Sequence, residues 1–188
     1  MKFYYYMCDA DHYGYMRFIQ PKYTYEHGFV VGDRFNKGQS IATSWQPAMT
    51  EVNISSGPLG DFPLCTMGPP VLNEKAWDVL RPVLGEMVEA LPVETPFGTY
   101  LALNVLDVID CLDYEQSEFT YYPASMGGDM HRIIKCQLKP GLIKNKLMFK
   151  IPERMTEIIV SDEFRDIVTG ASLKGLDFSR VLYETESY

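Results

Sequence analysis

The clearest hydrophobic pattern along the chain has helical spacing, and it occurs twice. After Asn73, a residue type that often caps helices, apolar residues fall on one face of a helix predicted near residues 74–84. After Ser161, a second apolar face predicts a helix near residues 161–170, with two acids in its first turn. Pro82 conflicts with the first helix, so we expect a kink or an end in the residues just before it.

Patterns typical of strands fill most of the remaining chain. The predicted strands are residues 2–7, 29–31, 48–54, 87–93, 99–111, 117–122, 133–138, 147–151, 157–160 and 176–178. So many strands with only two clear amphipathic helices predict an α+β fold, a mostly antiparallel twisted sheet with the helices on its faces. We expect a single domain over residues 1–188, with an aromatic-rich N-terminal layer at 1–60 and a core at 61–184.

The strand predicted at residues 99–111 has an acid on its apolar face. Its odd positions are apolar from Leu101 to Ile109, and Asp107 is the exception. Either a bulge near Leu106 shifts the register, or Asp107 is buried with a partner. The β-branched residues of this run favour the bulged strand.

Charge is distributed along the chain in blocks. Between Arg81 and Arg132 there is no lysine or arginine, although nine acids occur there. Residues 132–154 reverse the sign, with seven bases and one acid. An apolar run edged by carboxylates and lacking cations predicts a surface that meets a positively charged partner. The acids that we single out are Asp107, Asp110, Asp113, Glu115 and Glu118.

Three interpretations of these acids stay open. They could be solvated strand ends or partners of the basic block at residues 132–154. They could instead receive a basic protein, or they could act as paired carboxylates in acid/base catalysis or in binding a divalent metal. Trp45, which lies in a loop-like sequence, is a further contact candidate, and the N-terminal tyrosines could anchor an interface.

Composition narrows the classes of function. A net charge of −8 argues against a general nucleic-acid binder and favours steering of a basic partner. The four cysteines are widely spaced and the three histidines stand in no catalytic motif, so we expect reduced thiols and neither metal nor cofactor. The sequence from Asp9 to His12 is better explained as a solvated turn than as a metal site. We find neither a signal-peptide pattern nor a membrane span, and therefore expect a cytoplasmic protein.

Several segments together resemble a known bacterial family. They are Pro70–Leu80, Leu91–Glu94, Tyr100–Asp113, Ile159–Val168 and Leu173–Phe178. In this order, over about residues 61–184, they are similar to immunity family eleven of the polymorphic-toxin systems. The first 60 residues match this pattern less well.

The resemblance implies protection of the cell that makes the protein. Members of this family are encoded beside a toxin that is delivered between competing bacteria, and they bind and block it. We therefore expect a non-enzymatic immunity protein whose partner is a cognate toxin with a basic surface, rather than nucleic acid or a membrane. The alternatives are a metal-dependent hydrolase built on the acids from Asp107 to Glu115, and a ligand-binding or scaffold module.

Overall fold

The structure is a computed structural model, and it describes residues 1–19, 34–66, 68–128 and 130–184. The α+β class is confirmed. The strands are β1 (Lys2–Tyr5), β2 (Met7–Cys8), β3 (Tyr15–Phe18), β4 (Ala48–Asn53), β5 (Leu64–Cys65), β6 (Val71–Asn73), β7 (Val88–Glu94), β8 (Tyr100–Val105), β9 (Glu118–Tyr121), β10 (Met130–Lys135), β11 (Met148–Phe149), β12 (Ile159–Ser161), β13 (Leu176–Asp177) and β14 (Val181–Glu184). The α-helices that lie entirely within the described residues are α1 (Glu74–Leu84), α2 (Pro140–Ile143) and α3 (Asp162–Gly170). The strand predicted at residues 29–31 lies outside the described residues.

The described strands divide into separate sheets that are mostly antiparallel. One sheet has the order β5-β3-β4-β7-β8-β6, in which the β3/β5 and β4/β7 pairs are parallel. A second has the order β11-β12-β1-β14, and β9/β10 and β2/β13 form two-stranded sheets. Strands from the first 60 residues therefore lie in the interior of both larger sheets.

The two principal helices form where the sequence predicts them. The side chain of Asn73 accepts a hydrogen bond from the backbone N–H of Ala76, and that of Ser161 accepts one from the N–H of Phe164. Of the two effects expected of Pro82, a kink or an end of α1, the end does not occur, and the helix spans Glu74–Leu84 as predicted. Burial of the apolar face of α1 compensates for the hydrogen bond that proline cannot donate.

Burial of α1 and α3 against one apolar cluster holds the helices in place. Leu80 of α1 and Phe164 of α3 are both fully buried in this cluster, together with Phe62. A second cluster collects Phe3 and residues of β10, β12 and β14. Burying side chains of this size stabilises the fold by about 1.5–3 kcal/mol each.

The four cysteines are free thiols. Cys65, Cys111 and Cys136 are buried, and Cys8 is partly buried. Burial raises the pKa of the Cys8, Cys65 and Cys111 thiols to about 12 and that of Cys136 to about 11.

The bulged strand predicted across residues 99–111 is wrong. Strand β8 ends at Val105, and the chain then leaves the sheet. Beyond it, the backbone of Ile109 donates to the carbonyl of Lys150, and the N–H of Lys150 donates to the carbonyl of Asp107. This exit places Asp107 beside the basic block instead of on an apolar strand face.

Candidate protein-binding surface

Asp107 has a partner within the chain. Its Oδ2 lies 2.9 Å from the Nζ of Lys146, and its side chain is only 19% exposed. Of the two alternatives drawn from the strand pattern, a bulge was favoured, but the structure shows the other one, in which Asp107 has a partner. Asp107 therefore holds the exit of β8 against the basic block and is poorly placed to receive another protein.

Asp113 is also used locally. Its Oδ1 accepts hydrogen bonds from the backbone N–H groups of Glu115 (3.1 Å) and Gln116 (3.2 Å), and its Oδ2 accepts one from the Gln116 amide at 3.0 Å. A carboxylate that caps a turn in this way satisfies backbone donors that would otherwise need water. Asp113 shapes the turn between β8 and β9.

The other three acids are exposed. The carboxylates of Asp110, Glu115 and Glu118 form no hydrogen bond or ion pair with any residue in the described part of the chain. Glu118 pairs with Lys135 in the β9/β10 ladder, but the two side chains are not in ion-pair contact. These carboxylates are free to meet a partner.

Aromatic side chains that the sequence reasoning missed accompany these acids. Tyr114 is 51% exposed and stacks on Phe119, with the ring centroids 5.5 Å apart. Phe119 contacts Tyr121, which is 59% exposed. The alternation along β9 was visible in the sequence, but it did not show that the turn at Asp113 brings Tyr114 onto this strand. Exposed tyrosines are enriched at the centres of protein interfaces.

A hydrogen bond fixes the phenol of Tyr114. Its hydroxyl donates to Glu153 Oε1, and this bond raises the pKa of Tyr114 to about 12, with burial and the charges of Glu153 and Asp110 adding to the effect. The ring is therefore oriented before any partner arrives. We use the name acidic aromatic face for the exposed side chains of β9 and of the loop before it, namely Asp110, Tyr114, Glu115, Glu118 and Tyr121, of which Glu118 projects from the opposite side of β9 to Tyr121.

The N-terminal contact candidates that the structure describes are buried or partly buried, and Tyr23 and Tyr25 lie outside the described residues. Trp45 is partly buried, meets the ring of Phe35 edge to face at 5.5 Å, and donates its indole N–H to the carbonyl of Pro92 at 2.9 Å. Tyr4 is 3% exposed. These rings have packing partners, so they are weaker candidates for a binding surface than the tyrosines at 114 and 121.

A carboxylate of the lysine- and arginine-free stretch reaches into the N-terminal layer. Glu89 accepts hydrogen bonds from the Ser40 hydroxyl, the Ile41 N–H at 3.0 Å and the amide of the fully buried Asn104 at 2.9 Å. Burial raises the pKa of Glu89, but these hydrogen bonds outweigh it, and the net pKa is lowered. Glu89 is therefore a structural acid.

The basic block contributes an unusual residue to the interior. Lys150 is 2% exposed and donates to the carbonyl of Phe35. Burial lowers the pKa of its ammonium group to about 8. The Asp107–Lys146 pair is the one ion pair, within the described residues, between the acids of 86–128 and the bases of 132–154.

The turn from Asp9 to His12 contains a local hydrogen-bonded pair. His12 is exposed, and its Nδ1 lies 2.9 Å from both carboxylate oxygens of Asp9. This hydrogen bond raises the pKa of His12 and lowers that of Asp9. No three His, Cys, Asp or Glu residues in the described part are grouped to hold a metal ion, and none of its helices could span a membrane.

The segment that carries the acidic aromatic face also carries the similarity to known proteins. Residues 93–182 match the model of the Imm11 immunity protein family. The sequence resemblance is thereby confirmed for this segment, which runs from the end of β7 into β14. The Imm11 match includes Asp107, Asp110, Asp113, Glu115 and Glu118 but not Trp45. No curated protein matches the chain.

Proposed function

We propose that this chain is an immunity protein that binds a cognate toxin and neutralises it in the cytoplasm of the cell that makes both. The match of residues 93–182 to the Imm11 immunity protein family carries this proposal. An immunity protein needs a surface that recognises its toxin, and the matched segment contains one of suitable character. Blocking by binding requires no catalytic residues in the immunity protein itself.

We assign toxin recognition to the acidic aromatic face. Its three exposed carboxylates can steer a basic toxin surface into contact, because opposite charges raise association rates. Tyr114 and Tyr121 supply rigid apolar area once the partners meet. A toxin that acts on nucleic acid or nucleotides would carry a basic surface of this kind.

The neighbouring gene provides the test of the function. A toxin-like reading frame beside this gene should kill a host when it is expressed alone and be harmless when this chain is co-expressed. Purified toxin and this chain should then co-elute as a complex. Survival without a complex would contradict neutralisation by binding, and rescue that depends on turnover of a substrate would favour the hydrolase alternative.

Charge neutralisation tests the surface. The variant D110N/E115Q/E118Q should slow association with the toxin by about tenfold and reduce its dependence on salt, because rim charges act mainly on the association rate. The control D78N/E86Q/E94Q removes the same charge from exposed acids elsewhere. Equal association rates for the two variants would exclude the acidic aromatic face as the steering surface.

A further inference from the structure

Residues of two strands that each pair on one side only, β10 and β14, line a common groove. Residues 132–137, from β10 and its continuation, and residues 180–183, from β14 and the residue before it, line a groove of about 800 Å³ together with Tyr5, Arg154 and Glu157. We call this the edge groove. Strand β10 pairs on one side with β9, and β14 pairs on one side with β1. Among the described strands, none pairs with the second edge of either.

Buried apolar side chains form part of the floor of the edge groove, although most of its exposed lining is polar. Ile133 and Cys136 of the β10 segment are buried, and they belong to the same core cluster as Leu182 and Tyr183 of β14. The rims are exposed, with Ile134 at 55% and Val181 at 47%. An extended chain laid between these strands would place alternate side chains on the floor and in solvent.

The charge of the edge groove is opposite to that of the whole chain. Four bases, Arg132, Lys135, Arg154 and Arg180, line it with one acid, Glu157, although the chain carries a net charge of −8. Arg154 is paired with Glu157 at 2.6 Å, and Arg180 lies over the ring of Tyr5 at 4.6 Å. Arg132 and Lys135 are exposed, with no ion pair to any described residue.

We propose that the edge groove receives an extended acidic segment of the toxin as an additional strand between β10 and β14. Unpaired strand edges bind extended peptides through backbone hydrogen bonds, and neighbouring side chains set the preference for sequence. With six residues in β10 and four in β14, a short strand suffices. The bases of the groove select for an acidic strand. This inference rests on the proposed function for the identity of the partner.

A direct test needs no toxin. The probe is a ten-residue peptide of alternating valine and glutamate, and its matched control replaces glutamate with lysine. Hydrogen exchange followed by mass spectrometry should show slower exchange at residues 132–137 and 181–184 when the acidic peptide is added, but not when the lysine peptide is added. Unchanged exchange in these segments at millimolar peptide would overturn the proposal.

Two other occupants of the edge groove would give different results in this experiment. Single-stranded DNA of ten nucleotides that gives the same protection would overturn the proposal in favour of a groove for nucleic acid. Protection that rises with protein concentration in the absence of a probe, together with a dimer in sedimentation, would overturn it in favour of a second copy of this chain.

The toxin separates this inference from the proposed function. The variant R132E/K135E/R180E should weaken toxin binding by at least tenfold, whereas the control K139E/K144E/K174E makes the same charge change at exposed lysines outside the groove. Melting temperatures of both variants check that each is folded. If the toxin is neutralised and both variants bind it equally, the groove proposal fails and the proposed function stands. If the toxin is not neutralised at all, the proposed function fails.

Discussion

Strand β10 adjoins two surfaces of opposite charge. On the side of β9, the acidic aromatic face presents three exposed carboxylates and two exposed tyrosines. The edge groove, which residues of β10 also line, presents four bases and one acid. A single partner can engage both surfaces if it presents a basic region to the acidic aromatic face and an acidic region to the edge groove. Net charge describes neither surface, so an acidic protein can still offer a basic binding groove.

The difference arises because the two charge blocks of the sequence do not simply neutralise each other. In the acidic block, Glu89, Asp107 and Asp113 are engaged within the fold, which leaves fewer acids for the surface. In the basic block, Lys146 is paired with Asp107 and Lys150 is buried, while Arg132, Lys135 and Arg154 line the groove. Predictions that separate the internal charges from the surface charges test this division.

The largest effect should follow removal of residues 1–60. The N-terminal layer supplies β1 to the interior of one sheet, β3 and β4 to the other, and hydrogen-bond partners to Glu89 and Lys150. We propose that the 188 residues form one folding unit, so residues 61–188 alone should show no cooperative thermal transition. Circular dichroism during heating measures this. A cooperative melt of the fragment would show that the two charged surfaces do not depend on the N-terminal layer.

Replacing Lys150 with methionine should change how stability depends on pH. The folded pKa of about 8 lies below the ordinary value, so between about pH 8 and 10.5 the unfolded chain binds more protons than the folded chain. The stability of the native chain should therefore rise relative to K150M across this window, by about 3 kcal/mol in total.

Urea unfolding of the native chain and K150M at pH 7 and pH 10 gives the comparison. Thiols and tyrosines that titrate in the same range are common to both proteins and cancel in the difference. If the difference in the free energy of unfolding between the two proteins is the same at both pH values, the fold does not lower the pKa of Lys150.

Glu89→Ala should destabilise the fold by about 2 kcal/mol. The substitution leaves the donors of Ser40, Ile41 and Asn104 without their acceptor, and Asn104 is fully buried. The control is Glu86→Ala, which changes an exposed acid of the same block and should stay within about 0.5 kcal/mol. Chemical denaturation measures both. Equal losses would contradict the distinction between internal and surface acids.

The smallest effect should come from the ion pair between the two blocks. In a double-mutant cycle, D107N and K146M should show a coupling of about 1 kcal/mol, because both side chains are partly screened by solvent. The coupling should diminish at high salt. A coupling of zero would mean that the acidic and basic blocks are energetically independent despite their contact.

Local signals in the sequence were sufficient to predict the two principal helices and their N-terminal caps. Asn73 and Ser161 act through backbone groups only three residues away, so their roles can be read from neighbouring positions. Helix α1 continues past Pro82 because burial of its apolar face outweighs the local effect of this residue. Asp107 was ambiguous for a similar reason, since its partner lies 39 residues further along the chain.

The surfaces could be predicted only in part. Asp110, Glu115 and Glu118 were identified as candidates from charge alone, and they are exposed. The edge groove was not foreseen, because it requires knowing that residues of β10 and β14, about 50 residues apart in the chain, line one groove. Long-range strand arrangement leaves no local pattern. The assignment of both surfaces to toxin recognition remains a prediction.

The four cysteine thiols can be used to measure how often the folded chain opens. Alkylating reagents attack the thiolate, and the raised pKa values of Cys8, Cys65, Cys111 and Cys136 leave very little thiolate in the folded chain at neutral pH. Modification by iodoacetamide should therefore proceed mainly through molecules that have transiently opened. Because Cys136 lines the edge groove, its labelling rate relative to that of Cys65 would report whether a bound partner closes the groove or stabilises the entire fold.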